Sequence, residues 1–442
     1  DDSDDSDDSD DSDDSDDSDD SDDSDDSDDS DDSDDSDDDS DSDDDSDHDE
    51  GNDDDNSASE DSASEAADDE DDDEAGEVDL EFDTIELEVR ADRMVPADVN
   101  TDGFLDLAVL HDNRLGSGHW EMRSYLGDGA GRLEPSGQRY QPIPSSLDPV
   151  VIVAADVDGE GPDEILLGAI ERSASARPML LLDQSRSSPL DDPTWSRYLL
   201  SDEKGDPRLS MSRCETDGDG HEDLCAFGPT AGAYTIFRIM SDTVYRLEVL
   251  PDVAGRHGGW GHFDDDHRHD LLLSGPDNEV FLRRAADAYV QSTLLMTLER
   301  APSGVLAVDV NGDGLVDIVV YGDGEDPATS PYVELAISEG ATFSSPTRTA
   351  LHIERMWPLA PAEFDGGDAW GDLVTRVLDD NGECSIAALT GTSDGTFRLQ
   401  RLAITSCHGS LPVVGDYNED GRDDVLGVGP GGAEVFMLGS RF

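Results

Sequence analysis

Residues 308–322 read VDVNGDGLVDIVVYG, an acidic, glycine-centred nonapeptide that runs straight into a β-branched apolar stretch. With Asp309 as position 1, the pattern is D-x-N-x-D-G-x-x-D: Asn311, Asp313, Gly314 and Asp317 stand at positions 3, 5, 6 and 9. The same spacing returns in full at Asp98, Asn100, Asp102, Gly103 and Asp106, and at Asp416, Asn418, Asp420, Gly421 and Asp424. Two copies exchange Asp for Glu: Asp156, Asp158, Glu160 and Glu164, then Glu215, Asp217, Asp219 and Asp223. Two are degraded. HFDDDHRHD keeps Asp264, Asp266 and Asp270 but has His262 at position 1 and His267 at position 6. EFDGGDAWGD keeps Glu363, Asp365, Asp368 and Asp372 only if one inserted residue is allowed. First positions fall at 98, 156, 215, 262, 309, 363 and 416, so a unit of about 50 residues repeats seven times.

The spacing has a chemical reading. A hard cation such as Ca²⁺ takes six to eight oxygens from carboxylates, amides, carbonyls and water. Oxygens at positions 1, 3 and 5 of a tight curl converge, the glycine at position 6 permits the turn, and the acid at position 9 closes the shell. Five loops are expected to bind Ca²⁺, with the two degraded ones doubtful. Zinc fits poorly, because the strong loops hold no Cys or paired His. An EF-hand would need a bidentate Glu at position 12 between two helices. Position 12 is instead Val109, Val320 or Gly427, and the flanks read as strands.

Downstream text repeats as well. LLLSGPDNEVFLRR (271–284) aligns with VLGVGPGGAEVFML (425–438), and hairpin turns recur in YLGDGAGRLEP, AISEGATFSSP and LTGTSDGTFRLQ. Each unit reads as strand, acidic loop, strand, turn, strand, turn, strand, which is one four-stranded blade of a β-propeller. These units resemble the FG-GAP and VCBS repeats of integrin α-subunit propellers and of many secreted bacterial proteins, and the resemblance spans 81–442. It implies an all-β, seven-bladed β-propeller of four-stranded blades whose acidic loops join the first and second strands and bind Ca²⁺. After the seventh loop the chain has room for two more strands only. DTIELEVRA (83–91) has no blade of its own and is expected to complete the last one, which removes exposed edges.

Composition divides the chain. Of 113 acids, 49 lie in residues 1–80, where no Lys or Arg occurs and twelve Asp-Asp-Ser triplets run in tandem. That segment has almost nothing to bury and repels itself, so it is expected to be a disordered acidic tether preceding the propeller. A calcium sponge or a phosphorylated mineral binder is the alternative. The remainder carries 64 acids against 27 bases, a net of −37. A field of that sign argues against nucleic acid and anionic membranes. No 18-residue apolar run exists to span a membrane. The chain opens on Asp1 rather than Met, which leaves a removed leader, a lipid anchor upstream or an incomplete terminus open.

Cys214 and Cys225 flank the third loop, while Cys384 and Cys407 flank the turn at Asp394-Gly395; they read as two local disulfides, the alternative being four buried thiols. Disulfides with calcium loops imply an exported, extracellular or cell-surface protein. His262, His267 and His269 read as a decayed calcium loop rather than a transition-metal site. Trp120, Trp195, Trp260, Trp357 and Trp370 read mostly as wedge-filling core. No nucleophile elbow or phosphate loop appears, so no enzyme is expected. The expected role is adhesion or ligand recognition, as a monomer, toward an unknown protein or glycan ligand. A carbohydrate-active enzyme or its accessory propeller (lyase-like), and a purely structural display domain, are the alternatives.

Overall fold

Every acidic nonapeptide starts where one strand stops and ends where the next begins. In the computed structural model, first strands end at Ala97, Ala155, Cys214, Gly261, Val308, Ala362 and Gly415, and second strands start at Asp106, Glu164, Asp223, Asp270, Asp317, Asp372 and Asp424. The structure describes residues 81–442 except 114–118, 137–142, 157–161, 173–177, 184–194, 200–209, 217, 219–221, 231–232, 241–242, 251–257, 265, 276, 324–329, 341, 365–369, 409, 431–433 and 442. The expected disorder of residues 1–80 lies outside the described residues.

The fold is all-β, and among the described residues the strands form seven antiparallel sheets. The first contains Arg93–Ala97, Asp106–Asp112, Trp120–Gly127 and Leu133–Pro135; the second Leu147–Ala155, Glu164–Glu171, Pro178–Asp183 and Trp195–Leu199. The third contains Ser210–Cys214, Asp223–Thr230, Ala233–Met240 and Thr243–Leu250; the fourth Gly258–Gly261, Asp270–Ser274, Glu279–Arg283 and Thr293–Thr297. The fifth contains Gly304–Val308, Asp317–Gly322, Tyr332–Ala336 and Thr347–Ala350. The sixth has a divided first strand, Arg355–Met356 and Ala360–Ala362, ahead of Asp372–Leu378, Cys384–Gly391 and Phe397–Ile404. The seventh takes Val413–Gly415, Asp424–Val428 and Glu434–Arg441 from the C-terminus and Glu81–Arg90 from upstream of the first loop. Glu81 pairs with Arg441 and Leu87 with Val435, so the two ends of the domain share one sheet.

Second strands such as DIVVYG and DLLLS are buried on both faces, which explains their unbroken apolar character where a half-solvated strand would alternate. The core is correspondingly divided into wedges between consecutive sheets. One cluster joins Val95, Leu110 and Trp120 of the first sheet to Ile152 and Leu167 of the second. Others fill the third-to-fourth, fourth-to-fifth, fifth-to-sixth and sixth-to-seventh junctions. Leu107, Val109 and Tyr125 meet Leu426, Val435 and Met437, which returns the seventh sheet to the first. First strands pack against first strands at the first-to-second, second-to-third, fourth-to-fifth, sixth-to-seventh and seventh-to-first junctions. This is propeller-type packing.

Both cysteine pairs are bridged, with Cα separations of 5.9 Å for Cys214–Cys225 and 5.4 Å for Cys384–Cys407. Trp120 is core, Trp260 meets Tyr289 edge-on, and Trp370 packs on the cluster between the fifth and sixth sheets. No helix among the described residues is long and apolar enough to cross a membrane, a statement that does not bear on strand-built membrane proteins.

The closing strand supplies a direct test. Leu87 is buried against the seventh-to-first wedge, whereas Thr84 on the same strand is exposed. Leu87→Ala should cost about 2–4 kcal/mol in urea denaturation, as for other core truncations. Thr84→Ala should leave the midpoint within measurement error.

Candidate metal centres

Three nonapeptides, at 98, 309 and 416, fold by one hydrogen-bond plan. The position 1 carboxylate accepts the position 6 glycine N–H: Asp98 Oδ2 from Gly103 at 3.1 Å, Asp309 Oδ2 from Gly314 at 2.8 Å, Asp416 Oδ2 from Gly421 at 2.9 Å. The amide oxygen at position 3 accepts the position 5 N–H, at 2.9 Å from Asn100 and Asn418 and 3.0 Å from Asn311. The position 5 carboxylate accepts the position 7 N–H, at 2.8–3.0 Å in the three loops. Each curl is thus a chain of short side-chain-to-backbone turns, the conformation that Asp and Asn favour.

Two residues per curl sit left-handed. Position 6 is Gly103, Gly314 or Gly421, with φ between 83° and 85°, and nothing within 4 Å would meet an added Cβ. Glycine is required there by conformation and not by space. Position 4 is Thr101, Gly312 or Glu419, with φ between 56° and 66°, a conformation open to glycine but strained for Thr101 and Glu419, which spacing alone did not reveal.

The acid at position 9, read from the sequence as closing a Ca²⁺ shell, opens the second strand in each repeat. It turns inward: Asp106, Asp270, Asp317 and Asp424 are fully buried, and Asp223, Asp372 and Glu164 nearly so. Its Oδ2 accepts the position 2 N–H, from Val99 at 3.0 Å to Asp106, Val310 at 2.9 Å to Asp317, and Tyr417 at 3.1 Å to Asp424. Its Oδ1 accepts an N–H at the end of the third strand, Gly127 at 2.7 Å to Asp106 and Ser338 at 2.7 Å to Asp317. At the first of these the backbone comes so close that a Cβ on Gly127 would lie 2.2 Å from the Leu105 carbonyl oxygen. Burial pushes the carboxyls of Asp106 and Asp270 up to about 6 against the pull of these amides.

Position 8 was passed over in the sequence because its residue type varies; in the structure it joins neighbouring sheets. Asp163 donates its N–H to the Asp98 carbonyl at 2.8 Å and accepts the Asp98 N–H on Oδ2 at 3.1 Å. Asp423 does the same with Glu363, at 2.7 and 2.8 Å. Glu222 accepts the Asp156 N–H at 3.3 Å. His269 donates to the Glu215 carbonyl and accepts its N–H on Nδ1 at 2.7 Å. Burial, then the neighbouring His262, hold His269 down to about 4, so the ring is neutral and Nδ1 is free to accept.

The loop at 262–270 carries its own cations. Arg268 binds Asp266 at 2.7 Å, and Arg284 binds Asp264 and stands 3.8 Å from Asp270. His267 fills the glycine position with φ 59°. Of the other predicted ligands, Asp158, Glu160, Asp217, Asp219, Asp365 and Asp368 lie outside the described residues. Among the described residues, no three His, Cys, Asp or Glu side chains are grouped as a metal cluster. The oxygens of the strong curls come instead from two carboxylates and an amide. One of them, Asp309 Oδ1, is buried and accepts no hydrogen bond.

Residues 98–167 match the model of the FG-GAP-like repeat. The chain carries an FG-GAP-like repeat. The match begins at position 1 of the first curl and runs into the second strand of the second sheet. No curated protein matches this sequence. Among solved structures, the chain is similar to that of BBS1N in complex with ARL6DN, soaked with lead: TM-score 0.48, 12% identity, covering 81% of this chain and 96% of that one. It is also similar to Sqt1 from Chaetomium thermophilum: TM-score 0.41, 11% identity, covering 71% and 72%.

Two measurements probe this geometry. Asp317→Asn would turn an amide donor toward the Val310 or Ser338 N–H, and should cost about 1–3 kcal/mol in urea unfolding, the range for a buried group left unsatisfied. For His269, the folded pKa lies below the unfolded value, so its contribution is present above about 6.5 and is lost as pH falls toward 4. The stability-versus-pH curve of His269→Gln should therefore be flatter than that of the parent between those limits.

Proposed function

We propose that the domain is a seven-bladed calcium-binding propeller whose cations rigidify the blade loops of an exported ligand-recognition module. The observation that carries this is Asp309 Oδ1, a buried carboxylate oxygen with no hydrogen-bond partner in the curl that fits the oxygen pattern best. Such an atom costs stability unless a cation or water satisfies it. A Ca²⁺ would be held there by Asp309, Asn311 and Asp313, and correspondingly by Asp98, Asn100 and Asp102 and by Asp416, Asn418 and Asp420. All offer the hard oxygens this ion prefers. The position 9 acids then act from behind as positioning groups, since their oxygens hold backbone amides. Asp156 and Glu215 begin two further curls of the same kind. The loop at 262–270 has less need of an ion, because Arg268 and Arg284 already pair with Asp266 and Asp264.

Two disulfides and FG-GAP-type repeats support export, to the cell exterior or its surface. Binding of a protein or glycan, rather than catalysis, is the role that fits; the chemistry-bearing residues identified are loop-building carboxylates. Calcium should bind only the folded state, so stability should rise with its concentration by about 2.7 kcal/mol per independent site at a hundred times Kd. EGTA should therefore lower the melting temperature, and titration calorimetry should register one fewer ion in Asp309→Ala but an unchanged number in Asp264→Ala. An unmoved melting temperature together with no heat of Ca²⁺ binding would remove this reading.

A further inference from the structure

The chain is strongly acidic, yet two of its arginines stand away from every carboxylate partner found among the described residues. Arg213, Arg268, Arg284, Arg348 and Arg401 each pair with an acid. Arg93 and Arg376 instead spend their hydrogen bonds on backbone carbonyls. Arg93 donates to Val150 at 3.3 Å and Asp92 at 2.8 Å, and Arg376 to Ser406 and Ser410, both at 3.3 Å. Arg376 is only 4% exposed, and its Nε has no hydrogen-bond partner. Its guanidinium lies 4.4 Å from the centre of the Trp357 ring, with Arg355 at 5.1 Å from the same ring. Burial pushes the Arg376 pKa down to about 10, and the charges bearing on it, Arg355 and Arg93, share its sign.

Both arginines line a cavity of about 370 Å³. It lies where the first strands of the first and second sheets meet the sixth sheet, through Trp357, Pro358 and Arg376, and the lead-in to the seventh, and not at the acidic curls. The remaining wall is mainly apolar, including Met94, Ile152, Trp357, Pro358, Leu411 and Val413. Like charges gathered in a partly dry site repel one another and cost desolvation. An incoming oxyanion removes both penalties, and a guanidinium presents it with paired N–H donors. The apolar wall would exclude water from the rest of such a ligand.

We propose that this cavity binds an organic oxyanion, a carboxylate or phosphate carried on an apolar body. This gives the recognition reading a ligand class, but it does not depend on occupancy of the calcium loops. Titration calorimetry on the full chain, with benzoate, phenyl phosphate and neutral benzyl alcohol, tests it in calcium buffer and again in EGTA. At least one anion should bind tenfold or more tightly than the alcohol, and the preferred anion tells carboxylate from phosphate. Because Arg376 is buried in the sixth sheet whereas Arg93 is only half-buried, Arg93→Gln is the deciding variant. At an unchanged melting temperature it should weaken anion binding at least tenfold. Absence of anion binding, equal affinity for the alcohol, or full affinity in Arg93→Gln would overturn the proposal. A chain that takes up calcium but no anion would defeat this inference and leave the metal reading standing; the opposite outcome would do the reverse.

Discussion

Everything in this domain depends on a carboxylate that faces away from solvent. At the start of each second strand an Asp or Glu is buried, and at Asp106 and Asp317 its two oxygens hold the amide of position 2 and an amide at the end of the third strand. One residue thereby fixes the acidic curl and anchors the third strand of its sheet. Hydrogen bonds to a charged acceptor contribute about 1.5–3 kcal/mol each, which offsets the burial that drives Asp106 toward neutrality. Repetition of this staple lets seven short sheets, none of them able to bury a core alone, share one architecture.

Between sheets the work is divided. Apolar wedges supply the bulk of the burial, and among the described residues their clusters fill six of the junctions between sheets. Position 8 then ties the start of one nonapeptide to the end of the next, through the backbone at Asp163, His269 and Asp423 and through the side chains of Asp163, Glu222, His269 and Asp423. Where position 8 is glycine, at Gly371, only the backbone bond to Val310 remains. The loop at 262–270 shows how a repeat survives loss of its ligand pattern: Arg268 and Arg284 neutralise the acids.

The all-β class, the repeat boundaries, the strand that joins both ends and the cysteine pairs were legible in the sequence, because each follows from a short-range rule. A nonapeptide fixes the turn between two strands; cysteines on adjoining strands stand about 5–6 Å apart; a unit short of one strand must find it elsewhere. Position 9 was legible as an acid in every repeat, but the backbone amides its oxygens accept from were not. Its spacing is the same whether the oxygens face an ion or the backbone, and only the third strand's return reveals the amides it serves.

The sequence alone determined that acids or amides recur at positions 1, 3, 5 and 9 in most repeats about every 50 residues, and that apolar strands follow them. That information is local, carried by spacing and by the strand period. Tertiary structure decided the rest: which face of the nonapeptide looks outward, that position 8 latches neighbouring sheets, and that Arg93, Arg355 and Arg376 meet beside Trp357. Those arginines are more than 280 positions apart at the extremes (93 to 376) and sit in no motif. Their approach follows from the closing of the first and second sheets on the sixth and seventh, a long-range packing outcome that no window of sequence encodes.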